Sequence, residues 1–136
     1  MSIVHVGDCR IGRYRDGRLA WLTEDHSLVA ELRKSGAPEK EIAEVYQCHP
    51  TIITRAVGLT EHVAAHLSYE PAAPGDTYLL CTDGLTRQVD HAVVSELVGD
   101  TVRSLRQRCR ALLDTSEAAG GRDNATVLLL RLLSAS

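Results

Sequence analysis

A short apolar run from Thr77 to Thr82 is bracketed by turn signals, Pro74-Gly75-Asp76 before it and Asp83-Gly84 after it. Proline fixes φ, glycine accepts positive φ, and aspartate bonds its own backbone, so both boundaries are sharp. Such a run predicts a strand buried on both faces, and it constrains the rest of the chain more than any other stretch. It also holds Asp83 at the mouth of a strand, oriented from beneath and open to solvent. That placement suits an oxygen ligand for a hard cation, and equally suits a plain Asp-Gly turn.

The flanking sequence supplies partners for that strand. Ile3, Val4 and Val6 read as extended and run into Gly7-Asp8, while Ile11–Tyr14 and Leu19–Leu22 face each other across Arg15-Asp16-Gly17. Asp-Gly between two such runs predicts a hairpin. Leu28–Lys34 reads as a helix stopped by Gly36, and Pro38 opens a second over Glu39–Tyr46 that ends near His49-Pro50. Ile52–Val57 is β-branched and reads as extended, and Val63, Ala65 and Leu67 alternate as a strand does. Asp90 is placed to cap a helix through Val98, and Thr101 a longer one to about Ser116. After the loop Ala118–Arg122, Asn124–Leu133 reads as a last strand. Strands and helices mix without regular βαβ alternation, which predicts an α+β fold.

Composition matters here for what it excludes. With no Phe, one Trp and four Tyr, the core must come from Leu, Val, Ile and Ala. The net charge of -3 and the absence of a long basic run argue against nucleic acid or an anionic membrane as partner. Arg103, Arg106, Arg108 and Arg110 cluster on a predicted helix and read as a solvated face. Cys9, Cys48, Cys81 and Cys109 form no CxxC pair, so reduced thiols in a soluble, cytoplasmic protein are expected.

Three acidic turns share one form: Asp8 after Val6-Gly7, Asp83 after Cys81-Thr82, and Asp123 before Asn124. If their strands lie side by side, the acids gather at one sheet edge, where a divalent ion would relieve their repulsion. Three independent turn aspartates fit the same residues.

The runs HVGDCR, LTEDHSLV, ITRAVG, PGDTYLLCTDGL and GGRDNATVLLL stand in the order and approximate spacing of the second half of the metal-dependent (PPM-type, or type 2C) serine/threonine phosphatases in their bacterial form. The match runs from Ile3 to Leu132. This resemblance implies part of a four-layer α-β-β-α sandwich of antiparallel sheets, with residues 1–136 an incomplete domain, its C-terminal portion. It implies hydrolysis of phosphoserine and phosphothreonine proteins by a water that manganese or magnesium ions activate, two or three in the family. Asp83 and Asp123 match ligands of that centre, and Asp8 an acid that helps hold the additional metal. Gly84, Asn124 and Thr126 match the supporting loops. His26 matches a Thr-x-Asp-His turn with a structural hydrogen-bonding role, His49 a loop position, and Cys9 replaces the usual serine after Gly-Asp. Nothing here matches the family's Arg…Asn-Glu-Asp and Asp-Gly-His-Gly-Gly runs. Weak or absent activity of the isolated chain is therefore expected, with self-association or pairing with a missing half. The alternatives are a non-catalytic module that binds a phosphoprotein or a serine/threonine kinase, and one half of a split phosphatase.

Overall fold

The structure is a computed structural model that describes residues 1–49 and 51–134. It divides into two compact units, one formed by Met1, Cys9–Thr23 and Glu70 onward, the other by Ser2–Asp8 and Glu24–Tyr69. The chain enters the second unit at β1 (Ser2–His5), then contributes β2 (Arg10–Arg15) and β3 (Arg18–Trp21) to the first. It returns to the second unit for α1 (Leu28–Ser35), α2 (Glu39–Cys48) and β4 (His66–Tyr69). The first unit is completed by β5 (Thr77–Cys81), α3 (Asp83–Thr86), α4 (His91–Gly99), α5 (Leu105–Ala118) and β6 (Val127–Arg131). No helix among the described residues is long and apolar enough to cross a membrane.

In the first unit an antiparallel sheet has the order β3-β2-β5-β6. The β2–β3 hairpin forms at the expected place, because Asp16 and Gly17 both take positive φ, 51° and 80°, as a tight turn between twisted strands requires. β5 lies centrally, with Tyr14 opposite Thr77 on one side and Cys81 opposite Val127 on the other. Its successive residues Tyr78 and Leu79 point to opposite faces and are 1% and 0% exposed, so both faces are covered there as expected. Leu79 packs with Leu19, Cys81, Leu85, Val89, Val94, Val98 and Leu112, joining β3 and β5 to α3, α4 and α5. Each buried leucine of that cluster contributes about 1.5–3 kcal/mol.

Two expectations for the helices are corrected. The longer helix starts at Leu105, not near Thr101: Ser104 accepts from the Gln107 N–H while the Gln107 side chain accepts from the Ser104 N–H. This reciprocal cap is worth about 1 kcal/mol and overrides an isolated Thr101. Arg108 is not on a solvated face. It is buried, donating to the Val98 carbonyl at 2.9 Å and the Arg103 carbonyl at 3.0 Å, and so caps the end of α4. Asp90 does precede α4 in extended conformation but makes no side-chain capping bond.

A second polar anchor lies beneath β5. The buried Asp76 carboxylate receives Arg15 Nε and Nη2 at 2.6 and 2.7 Å, the Ala73 N–H at 2.8 Å and the Tyr78 hydroxyl at 3.0 Å. The Arg15 guanidinium, then the Ala73 and Tyr78 bonds, hold its carboxyl well below the usual carboxylate range despite burial.

In the second unit β1 and β4 pair antiparallel, Ser2 opposite Tyr69 and His5 opposite His66. β4 begins at His66, later than the expected alternation from Val63. α1 is capped by the Ser27 hydroxyl and ended by Gly36 at φ 75°, as the sequence indicates. α2 follows Pro38 and packs on α1, burying Ile42. The segment expected to be extended over Ile52–Val57 pairs only through an isolated antiparallel bridge, Ile53 opposite Ser27, with the Leu28 N–H on the Ile52 carbonyl and the Thr54 N–H on the His26 carbonyl, and makes no strand ladder among the described residues. Its β-branched residues meet no partner strand, and propensity alone cannot sustain one. The loop expected at His49-Pro50 is described as far as His49, and Pro50 lies outside the described residues.

Candidate metal-binding rim

Two of the three acid-bearing turns lie against each other at one end of the first unit's sheet. β5 ends at Cys81 opposite the first residue of β6, Val127. The next residue, Thr82, ties the strands together beyond the ladder. Its N–H donates to the Thr126 carbonyl at 3.1 Å. Its hydroxyl donates to the Asn124 carbonyl at 3.3 Å and accepts from the Thr126 N–H at 2.9 Å. Thr126, expected in the supporting loop, acts there through its backbone.

Gly84 explains why a glycine follows the acid. A Cβ there would overlap the Asn124 carbonyl oxygen and lie 2.8 Å from the Asn124 carbonyl carbon. Only a bare Cα lets α3 approach the β6 loop this closely. The Ser116 hydroxyl then donates to the Gly84 carbonyl at 2.8 Å, fixing the turn to α5. The Asp83-Gly84 turn is thus the first turn of a short helix built on Leu85, which is fully buried. On the other side, Gly120 and Gly121 take φ of 132° and 52°, releasing the chain from α5 towards Asp123. Asp83 and Asp123 therefore flank the Thr82–Asn124 contact on one rim.

Their carboxylates are not equivalent. Asp83 is partly buried and receives Arg87 Nε at 2.9 Å, one helical turn on. Asp123 is exposed, and its Oδ1 accepts the Asn124 N–H at 2.7 Å. Asn124 contributes backbone on both sides of this rim, its N–H donating to Asp123 and its carbonyl accepting the Thr82 hydroxyl.

Asp8 stands in the second unit, after β1. β1 pairs with β4 and does not join the sheet of β5 and β6, so the three acid-bearing strands are not neighbours in one sheet. Gly7, which precedes Asp8, has φ 102°. Its N–H donates to His26 Nδ1 at 3.1 Å, and its carbonyl accepts the His26 N–H at 2.8 Å. His26 thus has the hydrogen-bonding role its turn suggested, with a target that sequence reasoning left unspecified.

The donor chemistry of the rim fits a hard divalent cation, because carboxylate oxygens are what manganese and magnesium take. The donor number does not suffice. Among the described residues no group of three or more His, Cys, Asp or Glu side chains is arranged to hold a metal ion. Arg87 meanwhile supplies the positive charge at Asp83.

No protein-family model matches the sequence. The chain is similar to the serine/threonine phosphatase Stp of Listeria innocua, 38% identical over 130 residues, covering 94% of this chain and 50% of that protein. Among solved structures, the Mycobacterium tuberculosis serine/threonine phosphatase PstP/Ppp superposes with a TM-score of 0.85 at 31% identity, over 98% of this chain and 55% of that one. The catalytic domain of PstP in complex with two manganese ions gives a TM-score of 0.82 at 30% identity, over 98% of this chain and 54% of that one. The chain spans about half the length of the curated relatives it matches. In sequence and in antiparallel architecture alike, it belongs to the bacterial PPM-type serine/threonine phosphatases, as a portion equal to about half of a member.

Proposed function

We propose that this stretch carries part of the manganese- or magnesium-dependent centre of a protein serine/threonine phosphatase, with Asp83 and Asp123 as ligands and Asp8 as a contributor to an additional ion. The observation that carries the reading is the contact of Gly84 with the Asn124 carbonyl. It packs two acid-bearing turns against each other at one strand end, at the cost of forbidding any side chain between them. A pair of ions held there would supply an acidified water and neutralise phosphoryl charge. The chain's own part is to hold the Asp83 and Asp123 oxygens on a rigid rim, Thr82 and Ser116 bracing them from below. The substrate class is a phosphoserine or phosphothreonine protein, with a serine/threonine kinase as the opposing enzyme. Residues 1–136 thus act as the C-terminal portion of one phosphatase domain.

Because the described donors fall short of a complete set, the 136 residues alone turn over weakly or not at all. The test is hydrolysis of an aryl phosphate and a phosphothreonine peptide in millimolar manganese. The chain is assayed alone and after mixing with a polypeptide bearing the Asp-Gly-His-Gly-Gly run. Activity that appears on mixing and is lost in D83N and D123N is the expected result. Activity that survives both substitutions would remove the rim from the reaction.

A further inference from the structure

His26 is buried in the second unit, 6% exposed, and takes hold of one residue twice. Its backbone N–H bonds the Gly7 carbonyl and its imidazole Nδ1 receives the Gly7 N–H, so both polar groups of that glycine are satisfied by a single residue. Gly7 is itself buried and sits at φ 102°, a conformation that side-chain-bearing residues rarely adopt. The space about it is open, since the nearest atom to an added Cβ, the Arg55 carbonyl oxygen, is 4.0 Å away. Conformation, not crowding, is what the contact with His26 maintains.

A backbone N–H can only donate, so the nitrogen it meets must carry a lone pair. That assigns the proton of a neutral His26 to Nε2. The surroundings favour the neutral ring: burial, Arg55, His5 and His66 push its pKa below the ordinary value, and Glu31 opposes them weakly. His5 stacks at 4.8 Å between ring centroids, tilted by 36°, and limits rotation of the imidazole.

We infer that His26 is a positioning residue for Asp8, its bare Nδ1 and its own N–H clamping Gly7 so that the chain leaves the glycine in the one direction that presents the Asp8 carboxylate. The inference rests on the reading of Asp8 as a contributor to the metal centre. An imidazole serves here because it puts an acceptor at the δ position of a buried, rigid ring. Asparagine carries an acceptor at the same position, and glutamine carries one a bond further out.

The test uses the whole chain, ¹⁵N-labelled. In the wild type, His26 Nδ1 should show the shift of an unprotonated, hydrogen-bonded nitrogen. Gly7 amide exchange should rise tenfold or more in H26A and H26Q and stay within about twofold of wild type in H26N, while Val4 and Leu67 in the β1–β4 ladder keep their rates in H26N and H26Q. A protonated Nδ1, or equal Gly7 exchange in H26N and H26Q, would overturn the clamp. Should H26A fail to fold, the wild-type tautomer and the H26N–H26Q difference still decide. In the labelled chain mixed with the polypeptide bearing the Asp-Gly-His-Gly-Gly run, in a preparation shown to be active, millimolar manganese should broaden the Asp8 amide in wild type and H26N, and several-fold less in H26Q. An intact clamp with no broadening of Asp8 in the wild type would instead overturn the metal role of Asp8.

Discussion

Replacing Asp76 with alanine removes an acceptor on which four hydrogen bonds converge, and its cost can be built up bond by bond. Tyr78 is 1% exposed, so its hydroxyl would be left buried without an acceptor, while the Ala73 N–H, only partly buried, would lose its acceptor where water can replace it in part. Each orphaned donor costs about 1–3 kcal/mol. Arg15 behaves differently, because its side chain is 31% exposed and can turn to water, so losing its pairing adds little. With the Tyr78 hydroxyl at about 1–3 kcal/mol and the Ala73 N–H at the low end of that range, D76A should destabilise the first unit by about 2–4 kcal/mol. D76N keeps an acceptor for Tyr78 and Ala73 but turns an amide towards Arg15, and should cost about half as much. Urea unfolding followed by the fluorescence of Trp21, the chain's one tryptophan, reports on this unit directly. A loss below about 1 kcal/mol in D76A would refute the reasoning. The sign with pH follows. The Asp76 carboxyl titrates lower folded than its ordinary 3.8, so its stabilisation is complete above that value and is lost as pH falls through and below it. The acid limb of the wild-type stability curve should be correspondingly steeper than that of D76A between about pH 5 and pH 2.

G84A must push apart the α3 turn and the Asn124 backbone, and should cost about 1–3 kcal/mol in the same unfolding assay despite alanine's better helix propensity; unchanged stability would mean the contact is slack. S116A strips the buried Gly84 carbonyl of its donor and should lose about 1–2 kcal/mol by thermal unfolding. R87A removes the cation that faces Asp83, so manganese affinity measured by calorimetry on the mixed, active preparation should rise several-fold. A weaker affinity in R87A would show that Arg87 supports the ion instead of competing with it. G7A, strained at φ 102°, should lower stability by about 1 kcal/mol or more, although open space surrounds the new methyl group.

What could be read in advance divides along physical lines. Local chemistry was legible: Asp16-Gly17 at positive φ gives the hairpin, Gly36 ends α1, and Pro38 opens α2. Ser104 to Gln107 spells a capping box in the sequence itself, and such a reciprocal pair outweighs a lone Thr101. Ile52–Val57 reads as extended, but β propensity builds a ladder only where a full strand lies alongside, and here the pairing stops after the single bridge of Ile53 to Ser27. The rim was legible in its residue types but not in its assembly. The approach of Gly84 to Asn124 and the grip of His26 on Gly7 join residues distant in sequence, and nothing local encodes which glycine meets which backbone. Likewise the three acidic turns look alike as sequence, yet β1 pairs with β4 and leaves Asp8 out of the sheet that presents the other two.

The antiparallel register of β2 with β5 has a practical consequence. Arg10 lies opposite Cys81 at the acidic end, while Tyr14 lies opposite Thr77 at the other, so the Asp16-Gly17 reversal is separated from the rim by the length of both strands. At about 3.3 Å per residue that is on the order of 15 Å. A fluorophore or affinity handle spliced into that reversal would report on the sheet without touching the carboxylates, which makes the hairpin tip the natural place to attach the chain to a surface.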